Sequence, residues 1–361
     1  MDKERTKYIS NIERKKAVRS STKSGYRLDM AERLIDFPDT FLDSFLSEIN
    51  DEDLIVYPKE DLNEELKAQL SQINDLDSQN ILIDSGSDAI IKNCFHSLCN
   101  ENDSIVISTP SFPMYKIYGN MFGLEMIEVG FKNTFNFDIK EMLNSIKNST
   151  KMVILANPNS PYGDFQDLNS IIKILNVLQD KKILLLLDEA YVDFGRESMA
   201  HLIKIYDNLI VLRTFSKGWG AAGSRVGYCF SNEKNIKQIE KVQLTYPVSN
   251  ISLKFAIYLC KNYEVVKEYV NGTINERDFL IEKLKKLNYD VLPSANNSIH
   301  LHDSSDNKKV TDILNKHGVS FKKGSTASTP LTVPGDERNT WVRISVGHGI
   351  LQTPYMKELL S

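Results

Sequence analysis

Residues 183–191 read Ile183-Leu184-Leu185-Leu186-Leu187-Asp188-Glu189-Ala190-Tyr191, five apolar residues followed at once by two acids. A bare apolar run of that length shows no alternation, so it fits a strand buried on both faces, as in a parallel sheet covered by helices. An Asp at the end of such a run is costly if ionised and alone. It asks for a cationic partner, for which a protonated ring nitrogen is one candidate, or it caps a helix. Similar runs occupy 81–83, 104–107, 152–156 and 209–212. Amphipathic stretches separate them, such as 164–180, whose Leu168, Ile171, Ile172, Leu175 and Leu178 fall on one helical face. The alternation predicts a layered α/β domain with a mainly parallel sheet.

The flanks differ from this middle. Residues 1–30 are basic and polar; then Phe37, Phe41, Leu42, Phe45, Leu46 and Ile49 recur at helical spacing, which predicts an arm leading into a short amphipathic helix. After Tyr246-Pro247 a long helical stretch, 249–287, precedes apolar segments at 289–292, 299–301 and 341–346, a change that implies a second, smaller α+β domain. The most loop-like segment is 323–330.

Bulk composition narrows the class. With 361 residues, 25% charged and 41% hydrophobic, the chain reads as soluble and globular, and its length allows two domains or one large α/β domain with an appendage. Forty-four basic against 48 acidic residues leave a net charge of −4, which gives no reason for a nucleic-acid or membrane-surface partner. The charged start MDKERTKYISNIERKK carries no apolar run, so it reads as neither signal peptide nor membrane anchor, and a cytoplasmic setting is expected. Cys94, Cys99, Cys229 and Cys260 are too sparse for a disulfide framework and read as reduced thiols; the six histidines form no H-E-x-x-H set, so no metal site is expected.

In an open α/β sheet, ligands bind beyond the carboxyl ends of the strands, and the residues just after each run carry the chemistry. Asp84-Ser85-Gly86-Ser87-Asp88 is a small-residue turn opening a helix, whose free N–H groups suit a phosphate, although it also serves as a plain cap. In Asn157-Pro158-Asn159-Ser160-Pro161-Tyr162-Gly163 two prolines forbid a helix and fix a turn that can hold the Asn157 amide. Lys217, in Ser216-Lys217-Gly218-Trp219-Gly220-Ala221-Ala222-Gly223-Ser224-Arg225, lies among small residues that let other chains approach; it fits a nucleophilic amine that forms a Schiff base. Arg343, in Trp341-Val342-Arg343-Ile344-Ser345-Val346, is a charge inside an otherwise apolar strand.

In order and spacing, Asn157-Pro158-Asn159-x-Pro161-x-Gly163, Asp188-Glu189-Ala190-Tyr191, and Ser216-Lys217 with Arg225 eight residues on resemble the fold-type I aminotransferases, most closely the histidinol-phosphate aminotransferase group. The resemblance spans roughly residues 27–350. It implies an aspartate aminotransferase-like α/β fold with an N-terminal arm and part of the small domain in 1–50, a large cofactor-binding domain in 51–250 and a small C-terminal domain in 251–361. The implied cofactor is pyridoxal 5'-phosphate. By the same resemblance Lys217 binds it covalently and then moves the proton at the substrate α-carbon, and Asp188 pairs with the pyridine nitrogen. Asn157 and Tyr191 would hydrogen-bond the ring oxygen, and Tyr115, in Pro110-Ser111-Phe112-Pro113-Met114-Tyr115, would stack on the ring. Ser87, Asp88, Ser216 and Arg225 would hold the phosphate. Tyr57 would reach the phosphate of a neighbouring subunit's cofactor, which implies a homodimer. Arg343 would grip the substrate α-carboxylate, with Glu32 and Tyr57 also at the substrate.

The implied activity is transfer of an amino group from an amino acid, glutamate, to a small keto or aldehyde substrate that can carry a phosphate. The threonine-phosphate decarboxylases share this constellation, so a decarboxylase acting on an amino-acid phosphate is the alternative. A non-catalytic binding protein on the same fold is a third reading, against which Lys217, Asp188 and Arg225 together stand. The pocket departs from the group at three places: Ala31-Glu32-Arg33-Leu34 where it carries Asn-Glu-Asn-Pro, Ser160 and Tyr162 where it carries Asn and Thr, and Asn297-Ser298 where it carries Asn-Phe. Lys322 and Lys323 stand near where some relatives place a basic residue for a second acidic group.

Overall fold

The computed structural model describes residues 8, 12, 27–131, 137–303, 309–323 and 341–361. Most of the basic arm, and the loop-like segment beyond Lys323, lie outside the described residues. Seven strands, β1 (Ile81–Asp84), β2 (Ser104–Thr109), β3 (Glu125–Gly130), β4 (Thr150–Ala156), β5 (Leu184–Asp188), β6 (Leu209–Thr214) and β7 (Gly227–Ser231), form one sheet in the order β1-β7-β6-β5-β4-β2-β3. All five apolar runs are strands of it. The stretch from β3 to β6 is parallel throughout, and β7 runs antiparallel to both β6 and β1.

The bare runs exist because both faces of this sheet are covered. Val153, Leu155, Leu185, Leu187 and Val211 enter one apolar cluster with Leu175 and Leu178, while Ile154, Leu186, Ile210 and Leu212 enter another with Ile90, Ile91 and Phe95. The edge strand β3 gave no such signal, since only Val129 of its six residues is buried. Helix Leu168–Asp180 starts later than expected, capped by Asp167, whose carboxylate accepts the Ser170 N–H at 2.8 Å; such a cap contributes about 1 kcal/mol. Its buried stripe is Ile171, Ile174, Leu175 and Leu178, leaving Leu168 exposed and Ile172 half-buried. The short helix Phe41–Leu46 likewise buries only Phe41 and Phe45, against Tyr258 and Phe255; Leu42 and Leu46 face outward.

The long helical stretch is two helices, Asn250–Lys261 and Tyr263–Lys286, parted at Asn262. The second spans two cores: Val266 and Val270 pack in the cluster of the large sheet, Leu280 and Leu284 in that of a smaller one. This smaller, antiparallel sheet contains β8 (Ser298–His302), β9 (Lys322–Lys323) and β10 (Trp341–Ser345) in the order β8-β10-β9. Its Ile299, Leu301, Val342 and Ile344 form the core face. Alternation then sends Ser298, His300, His302, Trp341, Arg343 and Ser345 to the other face. Segment 289–292 makes only the bridge Val291 to Leu301. Leu28 ties the N-terminal segment to this unit, donating its N–H to Ser320 O at 2.7 Å and accepting the Ser345 N–H at 2.8 Å.

Among the described residues no helix is long and apolar enough to cross a membrane, and no three His, Cys, Asp or Glu side chains gather as a metal site. Cys94, Cys229 and Cys260 are buried free thiols.

Candidate active site

The carboxyl ends of the parallel strands open into one cavity of about 180 Å³. Each wall comes from the turn after a different strand: Ser87 and Asp88 after β1, Phe112 and Tyr115 after β2, Pro158 and Ser160 after β4, Asp188 and Tyr191 from β5, Ser216 and Lys217 after β6. Arg225, just before β7, closes it. Eight residues singled out from the sequence, Ser87, Asp88, Tyr115, Asp188, Tyr191, Ser216, Lys217 and Arg225, therefore meet at one place although 138 positions separate the outermost, Ser87 and Arg225.

One end of the cavity is built for an anion. Helix Ser87–Leu98 points its first N–H groups there, behind Gly86 at φ 83°, a backbone angle that favours glycine. A Cβ on Gly86 would stand 2.6 Å from Arg225 Nη2, and one on Gly227 would stand 2.3 Å from Ser87 N, so the two glycines let guanidinium, strand and helix start close on one another. Ser87 and Ser216 add hydroxyls, and Ser216 is fixed by its N–H on Thr214 Oγ1 at 3.1 Å.

The other end is acidic and dry. Asp188 is 6% exposed; its Oδ2 accepts the Tyr115 hydroxyl at 2.5 Å and its Oδ1 the Ala190 N–H at 3.0 Å. Burial nonetheless pushes its carboxyl above the usual range, which a cation placed beside it would reverse. Lys217 also lines the cavity; its Nζ donates to Met30 O at 2.9 Å and Ala31 O at 3.4 Å and sits 5.5 Å from the Tyr191 ring centroid. Burial would raise Tyr191, yet the charges of Lys217 and Arg343 and a hydrogen bond from Ser160 outweigh it and hold the phenol below its ordinary value.

A cradle for a phosphate, a primary amine for an aldehyde and a buried acid for a ring nitrogen are the donor set that pyridoxal phosphate requires. The family model for aminotransferase class I and II matches residues 37–356. The chain belongs to this family. As an aminotransferase it is a pyridoxal-phosphate enzyme acting on small molecules. It is 32% identical to the histidinol-phosphate aminotransferase of Brachyspira hyodysenteriae over 268 residues, covering 73% of this chain and 74% of that one. It is 29% identical to that of Caldanaerobacter subterraneus over 324 residues, covering 88% and 91%. Among solved structures, the histidinol-phosphate aminotransferase from Sinorhizobium meliloti in complex with pyridoxal-5'-phosphate matches with a TM-score of 0.78 at 22% identity, covering 94% of this chain and 89% of that one. Thermus thermophilus aspartate aminotransferase with maleate matches with a TM-score of 0.73 at 18% identity, over 93% and 90%. The aspartate aminotransferase-like fold expected from the sequence is the fold observed.

Other expected site residues lie beside or beyond this wall. Asn157 is buried but turned from the cavity: its Oδ1 accepts the Gln166 N–H at 2.7 Å and its Nδ2 donates to Gln166 O at 3.0 Å. Ser160 takes the place facing Tyr191. Tyr115 lines the cavity with its hydroxyl on Asp188, and Phe112, edge-on to it at 5.7 Å, is a further aromatic of the wall beside Tyr191. Arg343 lies outside the wall itself, with Nη2 on Asp29 O at 3.2 Å. Glu32 pairs with Arg27 at 3.7 Å. Tyr57 is 76% exposed and stacks on Tyr246 at 4.8 Å. Phe112 and Ser160 were missed from sequence, although both lie in turns directly after apolar runs.

Proposed function

We propose that this aminotransferase moves the amino group of glutamate to a small keto or aldehyde acceptor with an anionic distal group, as a cytoplasmic homodimer. The observation that carries this is the one cavity that Lys217 lines together with the Asp188 carboxylate and the Ser87, Ser216 and Arg225 cradle. The relatives named histidinol-phosphate aminotransferase support a phosphorylated acceptor, and so does Lys322, which pairs in register with Arg343 and is exposed. The replacements at Ala31, Arg33 and Leu34 argue for an acceptor other than histidinol phosphate itself.

The bound cofactor supplies an electron sink for the pair of electrons left when the α-proton departs. In this reading Ser87, Asp88, Ser216 and Arg225 hold its phosphate, Asp188 keeps a proton on its ring nitrogen, and Tyr191 with Ser160 hydrogen-bonds its ring oxygen. Phe112 covers the ring. Arg343 orients the substrate by its α-carboxylate, a bidentate task suited to a guanidinium. The Lys217 amine would take the α-proton and hold it for return. The exposed apolar residues Leu54, Ile55, Tyr57 and Leu244 support pairing of two chains, with each Tyr57 reaching the partner's phosphate site. The division into arm (1–50), large unit (51–250) and small unit (251–361) belongs to the same reading, helix Tyr263–Lys286 being shared by both cores.

Lys217→Ala tests it. The variant should bind the cofactor only reversibly, losing it on dialysis, and should show no amino transfer from glutamate in a single turnover. A variant that still converts glutamate overturns the assignment.

A further inference from the structure

Directly opposite Arg343 in the register of β10 and β8 stands His300. Residues paired in this way share one face of the sheet, with Cβ atoms about 4.5–5.5 Å apart. The imidazole is 1% exposed, and neither Nδ1 nor Nε2 has a hydrogen-bond partner; the same holds for Arg343 Nε. Leaving a buried donor or acceptor unpaired costs about 1–3 kcal/mol, and here three such nitrogens lie together. His300 lies on the face that β8 and β10 turn away from the small core, the face that also carries Arg343, so its ring does not serve to fill that core.

The neighbours define what the ring faces. Tyr162 meets it edge-on at 5.9 Å, and Tyr162 belongs to the turn after β4 that carries Ser160. His300 thus stands where the small sheet meets the loop of the active site, beside the arginine assigned to the substrate. Burial, and then the Arg343 charge, pushes it down to about 3, so the ring is neutral at working pH and offers one N–H donor without a second desolvated cation.

We propose that His300 is a substrate-binding residue which, together with Arg343, takes the carboxylate of the amino-acid substrate by donating its ring N–H to a carboxylate oxygen. The inference rests on the assignment of Arg343 to that carboxylate. It names a residue for which the neighbouring motifs gave no signal, and it predicts that the carboxylate subsite of this enzyme combines one cation with one neutral donor.

The test uses cofactor-loaded enzyme and succinate, a non-reacting dicarboxylate, whose binding is followed through the cofactor's visible absorbance. His300→Leu should weaken succinate binding roughly 10- to 100-fold, the loss of one hydrogen bond to a charged group. Its melting temperature should stay level or rise, because the unpaired imidazole is gone. His300→Gln or His300→Asn, which keep an N–H donor, should recover part of the binding. Unchanged binding in His300→Leu overturns the proposal, as does equal weakening in all three variants. Arg343→Lys separates the two layers: if it leaves succinate binding unchanged, the assignment of Arg343 itself fails. If it weakens binding while His300→Leu does not, only the role of His300 falls.

Discussion

The Tyr115 hydroxyl donates to Oδ2 of Asp188 at 2.5 Å, from a ring that is itself fully buried. This bond opposes the rise that burial imposes on the carboxyl, so Tyr115 helps to keep Asp188 ionised for a ring cation. A hydrogen bond to a charged group is worth about 1.5–3 kcal/mol. Tyr115→Phe should therefore weaken cofactor binding to the apoenzyme roughly tenfold or more, measured by titration with pyridoxal phosphate. Wild-type affinity would show that the tyrosine only packs.

Asn157 and Ser160 should separate stability from chemistry. Asn157→Ala removes two buried hydrogen bonds to the Gln166 backbone and should cost about 1–3 kcal/mol of folding stability, with turnover per folded molecule nearly kept. Ser160→Ala removes a hydrogen bond that holds Tyr191 low, so Tyr191 should ionise at higher pH. The pH midpoint of the bound cofactor's absorbance should rise with it, while thermal stability changes little. The opposite pattern, with Asn157→Ala moving the spectrum and Ser160→Ala leaving it alone, would return the ring oxygen to Asn157.

What could be read from sequence follows from what each signal depends on. Strands β1, β2, β4, β5 and β6 were legible because each is covered on both faces and carries an unbroken apolar run; β3 was not, because Glu125 and Glu128 in it face water. Lys217, Asp188 and Arg225, which line one cavity, were picked out because a lysine among small residues and an acid after an apolar run each ask for a partner, and because the spacing of Arg225 from Lys217 matches the family pattern. The direction of the Asn157 amide was not, since it depends on how the turn folds back to present the Gln166 backbone. His300 carries no local motif, and its significance appears only once β8 and β10 are set in register.

Glu189 gives the fold a pH signature. It is fully buried; Ser198 Oγ and the Met199 N–H donate to it, but the Arg213 guanidinium stands 3.6 Å away and is committed to Asp193 at 2.5 Å. Burial therefore wins and pushes Glu189 up to about 7, well above the ordinary carboxylate range. Between about pH 4.5 and 7 the folded chain holds a proton that the unfolded chain has released, so this residue's stabilising contribution is present at the acid end and is lost as pH rises through 7. Denaturant unfolding across that window should show a downward component in stability that Glu189→Gln removes. An unchanged slope in the variant would place the titration elsewhere.

The apolar surface around Tyr57 makes the last prediction. Ile55 is 79% and Leu244 72% exposed, and burying such side chains gains about 1.5–3 kcal/mol each. Replacing both by Asp should turn a dimer into a monomer in sedimentation at micromolar concentration, and the monomer should bind pyridoxal phosphate more weakly because each site has lost its partner's Tyr57. Tyr57→Phe separates assembly from ligand contact, since the ring that stacks on Tyr246 at 4.8 Å is kept and only the hydroxyl goes. That variant should remain dimeric while cofactor affinity falls roughly tenfold, the loss of one hydrogen bond to a charged phosphate. Dimeric protein with full affinity would restrict Tyr57 to the interface, and a wild-type monomer would remove the shared site altogether.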